Sequence, residues 1–336
     1  MIKMNFKRHI FDELVQWKTS SNDKPLILRG ARQVGKTTLV RSFGESYTHF
    51  IELNLEKSED ASLVERSNSV QELVNFLALK NEISSKDFPN TLLFIDEIQE
   101  SEKAISFLRY FYEDLPELNV IAAGSLLEHT LKKTKNYPVG RINYLYLFPL
   151  NFQEYLEAQG KNNLLERFRN VPVDDIAHEL LMKEFQTYCI IGGMPEIVAN
   201  YVAHKDLLAL PQIYESIWNT YKDDVIKYAD SKSEENVMKH IVNTAASFVD
   251  QRIKFQNFGH SNYKSREVSK AFNNLDAAKV IQVIYPCTNV EPPILPDYKK
   301  SPRLQFLDTG ILNFDLNIQA DLLLMKDLSE AYKGAI

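Results

Sequence analysis

The sequence predicts an α/β fold: a parallel sheet flanked by helices, followed by a long helical stretch and a smaller mixed module. Three observations lead there. From Lys24 to Ala123, short apolar runs alternate with longer amphipathic ones. Strands separated by helix-length segments need crossover connections, which pair them in parallel. After Arg141 the texture changes to long helix-like segments with few strand signals. The same alternation excludes a sandwich of consecutive hairpin strands.

In chain order, the strand runs are PLILR (25–29), HFIELNL (49–55), TLLFID (91–96) and NVIAAG (119–124). Between them, VQELVNFLALK (70–80) and AISFLRYFYEDL (104–115) carry apolar residues at the three-and-four spacing of a one-sided helix. Further on, 151–159, 174–190, 206–229 and 234–250 read as helices, and KVIQVIYP (279–286) and RLQFLD (303–308) as strands. A boundary is expected near 145–150. The expected layout is a first domain over 1–148, a helical region over 149–230, a mixed module over 231–318 and the start of a further domain over 319–336.

A chain of 336 residues exceeds one ordinary core, so several domains are expected. A formal net charge of -6 excludes a generic polyanion binder, so any nucleic-acid contact must use a local basic face. Cys189 and Cys287 are far apart and lack metal-ligand spacing, which argues against a disulfide framework. The N-terminus MIKMNFKRHIFDEL is charged, and no run approaches the ~18 apolar residues of a spanning helix. A cytoplasmic protein without a membrane partner is expected.

Gly30-Ala31-Arg32-Gln33-Val34-Gly35-Lys36-Thr37 matches G-x-x-x-x-G-K-[S/T], the P-loop, after a strand and before a helix as that motif requires. Glycines permit backbone angles and close approaches that let successive N–H groups point at phosphate oxygens. The first turn of the following helix adds unpaired N–H groups and a positive dipole end. Lys36 is expected to reach the β- and γ-phosphates and the Thr37 hydroxyl to hold Mg²⁺, with Thr38 a neighbour in the helix. Such a turn calls for an acid at the end of a neighbouring strand. LLFIDE provides Asp96, expected to hold Mg²⁺ through water, and Glu97, expected to orient or deprotonate the attacking water.

Two further residues are candidates. Ser125 follows Gly124 at the carboxyl edge of a strand, where phosphates bind in open α/β sheets; it is expected either to sense the γ-phosphate or to cap the helix beginning at Leu126. Arg141 follows a lysine-rich loop (Lys132, Lys133, Lys135). It either stabilises transition-state charge, in cis or on a neighbouring subunit, or pairs with a carboxylate at a domain boundary.

Through LRGARQVGKTTL, LLFIDEIQ, IAAGSLLE, GRINYLYLFPLNFQEYL, YCIIGGMPEIV and RLQFLDTGIL, the chain resembles a family of prokaryotic AAA-type P-loop ATPases over nearly its whole length. The resemblance implies an ATPase core, a helical lid, a winged-helix-like module and a C-terminal nuclease-like domain of the restriction-endonuclease type. Family members continue past the equivalent of DLSEAYKGAI. Here the sequence stops at Ile336, in what reads as a helix entering that domain, so no nuclease site is assigned.

In the second half, Val268, Phe272, Leu275 and Ala278 fall on one helical face, and the order helix, helix, strand, strand is that of a winged helix. Lys264, Arg266, Lys270 and Lys279 are expected to supply a mildly basic rim for the phosphates of double-stranded DNA, with Glu267 and Asp276 interleaved; a protein-contact or spacer module is the alternative. Gly192-Gly193-Met194-Pro195-Glu196 reads as a turn with proline at the first helical position, either a hinge or a static corner. The histidines lack pairing that would hold a metal. The combined expectation is an Mg²⁺-dependent ATPase whose partners are ATP and, as candidates, duplex DNA and further copies of itself. A slow ATP-gated interaction switch and a DNA-binding regulator are the alternatives.

Overall fold

The computed structural model describes residues 6–20, 24–125, 140–227, 229–325 and 328. These fall into two compact units, Lys7–Phe148 and a second made by the part from Pro149 onward together with Phe6.

The first unit begins with α1 (Phe11–Thr19), followed by β1 (Leu26–Arg29), α2 (Lys36–Gly44), β2 (His49–Asn54), α3 (Ser58–Arg66) and α4 (Val70–Lys80). It continues with β3 (Thr91–Asp96), α5 (Glu102–Asp114), β4 (Asn119–Ala123) and β5 (Asn143–Tyr146). The five strands form one parallel sheet in the order β2-β3-β4-β1-β5. Every residue of β3 is buried, the near-continuous apolar pattern of a strand covered on both faces. Ile27, Leu93, Ile95, Val120 and Ala122 join the core made with α3, α4 and α5. Their alternates Leu28, Leu92, Phe94 and Ile121 are equally buried and, by strand alternation, face the other way. On α2, Phe43 is clamped edge-on between Phe11 and Tyr47, each with ring centroids 5.6 Å away.

The expected parallel sheet is therefore present, with one correction to its neighbours. The acid-bearing strand β3 is not beside β1, because β4 lies between them. Alternation of strand and helix specifies crossovers but not strand order.

The second unit opens with α6 (Phe152–Ala158), α7 (Asn162–Arg169), α8 (Asp175–Ile191), α9 (Pro195–His204) and α10 (Pro211–Ile226). Asn151 and Glu154 close a capping box at the start of α6, with bonds of 2.9 and 3.0 Å. Phe152 gathers Phe185, Phe168 and Tyr188 at centroid distances of 5.2, 5.6 and 5.6 Å. The helix expected from 206 starts at Pro211, since proline is accommodated in the first turn.

α11 (Lys232–Thr244), α12 (Ser265–Ala277), and the antiparallel pair β6 (Ile281–Ile284) and β7 (Arg303–Phe306) follow. The helix read as 234–250 ends at Thr244 and passes into a 3₁₀ turn over Ala245–Phe248. Val268, Phe272, Leu275 and Ala278 of the α12 region are all buried, as their spacing requires.

After β7 the chain returns to the helices through α13 (Thr309–Asp315), before α14 (Gln319–Leu324). Asn313 donates to the carbonyls of Cys189 and Ile190, both at 3.0 Å, and the Tyr214 hydroxyl donates to Ile191 O at 2.6 Å. Asp308 caps α13 through the Ile311 N–H at 3.0 Å and also accepts the Gly193 N–H at 2.6 Å. Gly192, at φ 70°, and Gly193 have room only for hydrogen: added Cβ atoms would fall 2.2 Å from Asp308 Oδ1 and 2.0 Å from Leu150 O. The Gly192-Gly193 turn is thus a tied corner.

Candidate functional site

The turn between β1 and α2 is shaped by positions where a side chain does not fit. Gly30 has φ 149°, and a Cβ there would lie 2.2 Å from the Leu147 carbonyl oxygen. Gln33 and Gly35 are also left-handed, at φ 60° and 96°. Gly35 precedes the first residue of α2, so the unpaired N–H groups of that helix open directly onto the turn. Lys36 is buried, and its ammonium donates to Gly30 O at 3.0 Å and Ala31 O at 2.8 Å. Ala31 and Val34 are buried, whereas Thr38 is exposed on the outer side of the helix. Arg32 pairs with Glu56 at 3.4 Å. Arg8 braces the whole turn, donating to Val34 O at 3.0 Å and Phe148 O at 2.6 Å. Nothing around Arg8 in the sequence marks that role.

Asp96 ends β3, and its Oδ2 accepts a 2.8 Å hydrogen bond from the Thr37 hydroxyl. The expected pair is therefore brought together although β4 separates their strands. Burial pushes the Asp96 pKa up, while the Thr37 hydroxyl and the Lys36 charge oppose the rise. Glu97 follows in a left-handed conformation at φ 52°. Its Oε2 accepts the amide of Gln99 at 2.6 Å.

Ser125 stands just past β4, beside Gly124; the helix it was expected to cap, and Lys132, Lys133 and Lys135, lie outside the described residues. Arg141 is ion-paired with Glu113 at 2.5 Å, a contact that holds the Glu113 carboxyl below its ordinary range.

Among the described residues, no group of three or more histidine, cysteine or acidic side chains could hold a metal alone. The Thr37–Asp96 pair offers two hard oxygen donors, and a buried carboxylate with a raised pKa gains from a cation beside it. That donor set suits Mg²⁺, which keeps waters and takes phosphate oxygens as its other ligands. No described helix is long and apolar enough to cross a membrane.

The AAA domain model matches residues 22–156, the stretch that carries the sheet, the turn and Asp96. Residues 22–156 therefore form an AAA domain, and the fold of the chain is that of a Walker-type P-loop ATPase. Residues 182–322 match a domain of unknown function, DUF8612. The nuclease-like domain implied by the resemblance is not among the matched models.

The Walker-type ATPase PABY2304 of Pyrococcus abyssi is similar over 93% of this chain and 96% of its own, at 16% identity and a TM-score of 0.57. PCH-2 of C. elegans is similar over 63% of each chain, at 11% identity and a TM-score of 0.37. AMPPCP-bound DnaA from Aquifex aeolicus is similar over 83% of this chain and 90% of its own, at 15% identity and a TM-score of 0.33. The first shares the fold; the other two overlap too loosely to carry that statement. No curated protein sequence matches the chain.

Proposed function

We propose that the protein binds ATP with Mg²⁺ in the turn from Gly30 to Thr38 and hydrolyses it, coupling nucleotide state to rearrangement of its domains or of a partner. The observation that carries this reading is the 2.8 Å contact between the Thr37 hydroxyl and Asp96, made directly beneath the glycine-shaped turn. Backbone N–H groups of the turn and of the first turn of α2 take the phosphate oxygens. Lys36 exchanges its carbonyl partners for the β- and γ-phosphates. Thr37 and Asp96 would hold Mg²⁺, which when bound neutralises charge on the phosphate oxygens. Glu97 orients the attacking water and accepts its proton.

Ser125, at the carboxyl edge of the central strand, is assigned to sensing the γ-phosphate. Arg141 has the lesser claim to transition-state stabilisation, since its guanidinium must first release Glu113. In this reading residues 149–230 act as the lid and 231–318 as a winged-helix-like module. The basic rim supports duplex contact less than its lysine count suggests, because Lys270 is engaged with Glu234 at 2.7 Å and Asp230 at 3.1 Å. Lys264, Arg266 and Lys279 remain as its candidates.

Steady-state phosphate release and equilibrium binding of a fluorescent ATP analogue test the proposal. Lys36→Ala is expected to lose binding. Glu97→Gln is expected to keep binding and lose at least about a hundredfold in turnover, the share usual for a positioned base. Turnover equal to wild type in both variants overturns it. Retained nucleotide with negligible wild-type turnover instead identifies the slow switch.

A further inference from the structure

We propose that Gln99 is a positioning residue for Glu97 and that Gly124 provides the seat from which it acts. This role presupposes the hydrolysis reading above. Beyond Asp96, the left-handed Glu97 leads into a 3₁₀ turn over Ile98–Glu100, which brings Gln99 back to the carboxyl edge of the sheet. Gln99 is only 8% exposed, unusual for a side chain that prefers water.

The two ends of its amide are differently employed. A carboxylate only accepts, so the amide NH₂ must face Glu97, and it donates to Oε2 at 2.6 Å. That fixes the amide oxygen on the opposite side. There Oε1 is buried and has no hydrogen-bond partner among the described residues. Leaving a buried acceptor unpaired is unfavourable, and methionine would fill the same space without it. The group that justifies the arrangement is the donor end, which ties one oxygen of Glu97 and leaves Oε1 of Glu97 in a set direction to take a proton from water. A carboxylate held in one orientation acts at higher effective concentration than one that rotates.

Gly124 makes the seat. It follows β4, the strand between the one leading to the phosphate turn and the one ending in Asp96. A Cβ at Gly124 would fall 2.2 Å from Gln99 Oε1 and 3.4 Å from the amide carbon. A Cβ there forces the Gln99 amide to shift from the position in which it meets Glu97. Gln99 and Gly124 therefore form one device spanning the ends of adjacent strands.

The test compares Gln99→Met, Gly124→Ala, the double variant and Glu97→Gln in steady-state ATP hydrolysis and ATP-analogue binding. Gln99→Met and Gly124→Ala are each expected to lower kcat about tenfold with KM and analogue affinity unchanged, as loss of orientation predicts. The double variant should be no slower than either single one, since both break the same contact. If Glu97→Gln is inactive while Gln99→Met turns over like wild type, the positioning role is overturned and the hydrolysis reading stands. If kcat, affinity and thermal stability fall together in Gln99→Met, the residue merely fills space and the proposal is likewise overturned. If Glu97→Gln turns over like wild type, both fail. Should Gly124→Ala not fold, the kcat and KM of Gln99→Met decide alone.

Discussion

The second unit should become less stable as pH rises from 4 to 7, and Asp308 should account for the slope. Its carboxylate is fully enclosed, and burial raises its pKa from 3.8 to about 6 in spite of N–H groups donated by Gly193, Ile311, Gly310 and Met194. The folded chain therefore holds this proton up to about pH 6, the unfolded chain only to 3.8. Between those values the folded state binds more protons, so stability falls with rising pH; the contribution is complete below 3.8 and lost above about 6. At about 1.4 kcal/mol per pKa unit, the swing is about 3 kcal/mol. Asp308→Asn removes the titration while keeping one acceptor for the Gly193 or Ile311 N–H. Urea unfolding followed by Trp218, whose Nε1 donates to Asp315 in the same unit, reports the transition at each pH. Wild type is expected to lose about 3 kcal/mol relative to the variant between pH 3.5 and 7. A difference that stays constant within about 0.5 kcal/mol, or slopes the other way, refutes the reasoning.

Gly30→Ala should weaken ATP-analogue binding by about fivefold to a hundredfold, since the new methyl group must displace the Leu147 carbonyl and strain of that kind costs on the order of 1–3 kcal/mol; isothermal titration measures it, and wild-type affinity removes the claim that close approach shapes the turn. Duplex binding by the basic rim, if it occurs, should weaken steeply between about 50 and 200 mM salt as counterion release requires. Fluorescence anisotropy that detects no duplex binding at low salt excludes DNA as a partner of this module.

The glycine-shaped turn was legible because its pattern is local: glycine spacing, lysine and threonine all fall within eight residues between an apolar run and a helix. Asp96 was legible for a related reason, as a charge closing a strand otherwise filled with Leu92, Leu93, Phe94 and Ile95. What stayed hidden is what distant segments do to one another. Strand order depends on which crossover packs where, so the insertion of β4 between β1 and β3 leaves no trace in periodicity. Arg8 acts on Val34 and Phe148 from a charged leader that reads as an ordinary surface. Gln99 follows a visible motif, but its meaning depends on Gly124, which in sequence reads simply as the end of a strand. Asp308 caps a helix by a local pattern, yet its second bond, to Gly193, spans more than a hundred residues.

Arg8 also joins the beginning of the first unit to its end. One guanidinium grips the loop beneath Val34 and the backbone at Phe148, the last residue before the chain leaves this unit. Leu147 is wedged against Gly30 on the same exit path. The segment that closes this unit is thus bonded both to the turn, through Arg8, and to β1, through the Leu147 N–H donated to Arg29 O at 2.8 Å.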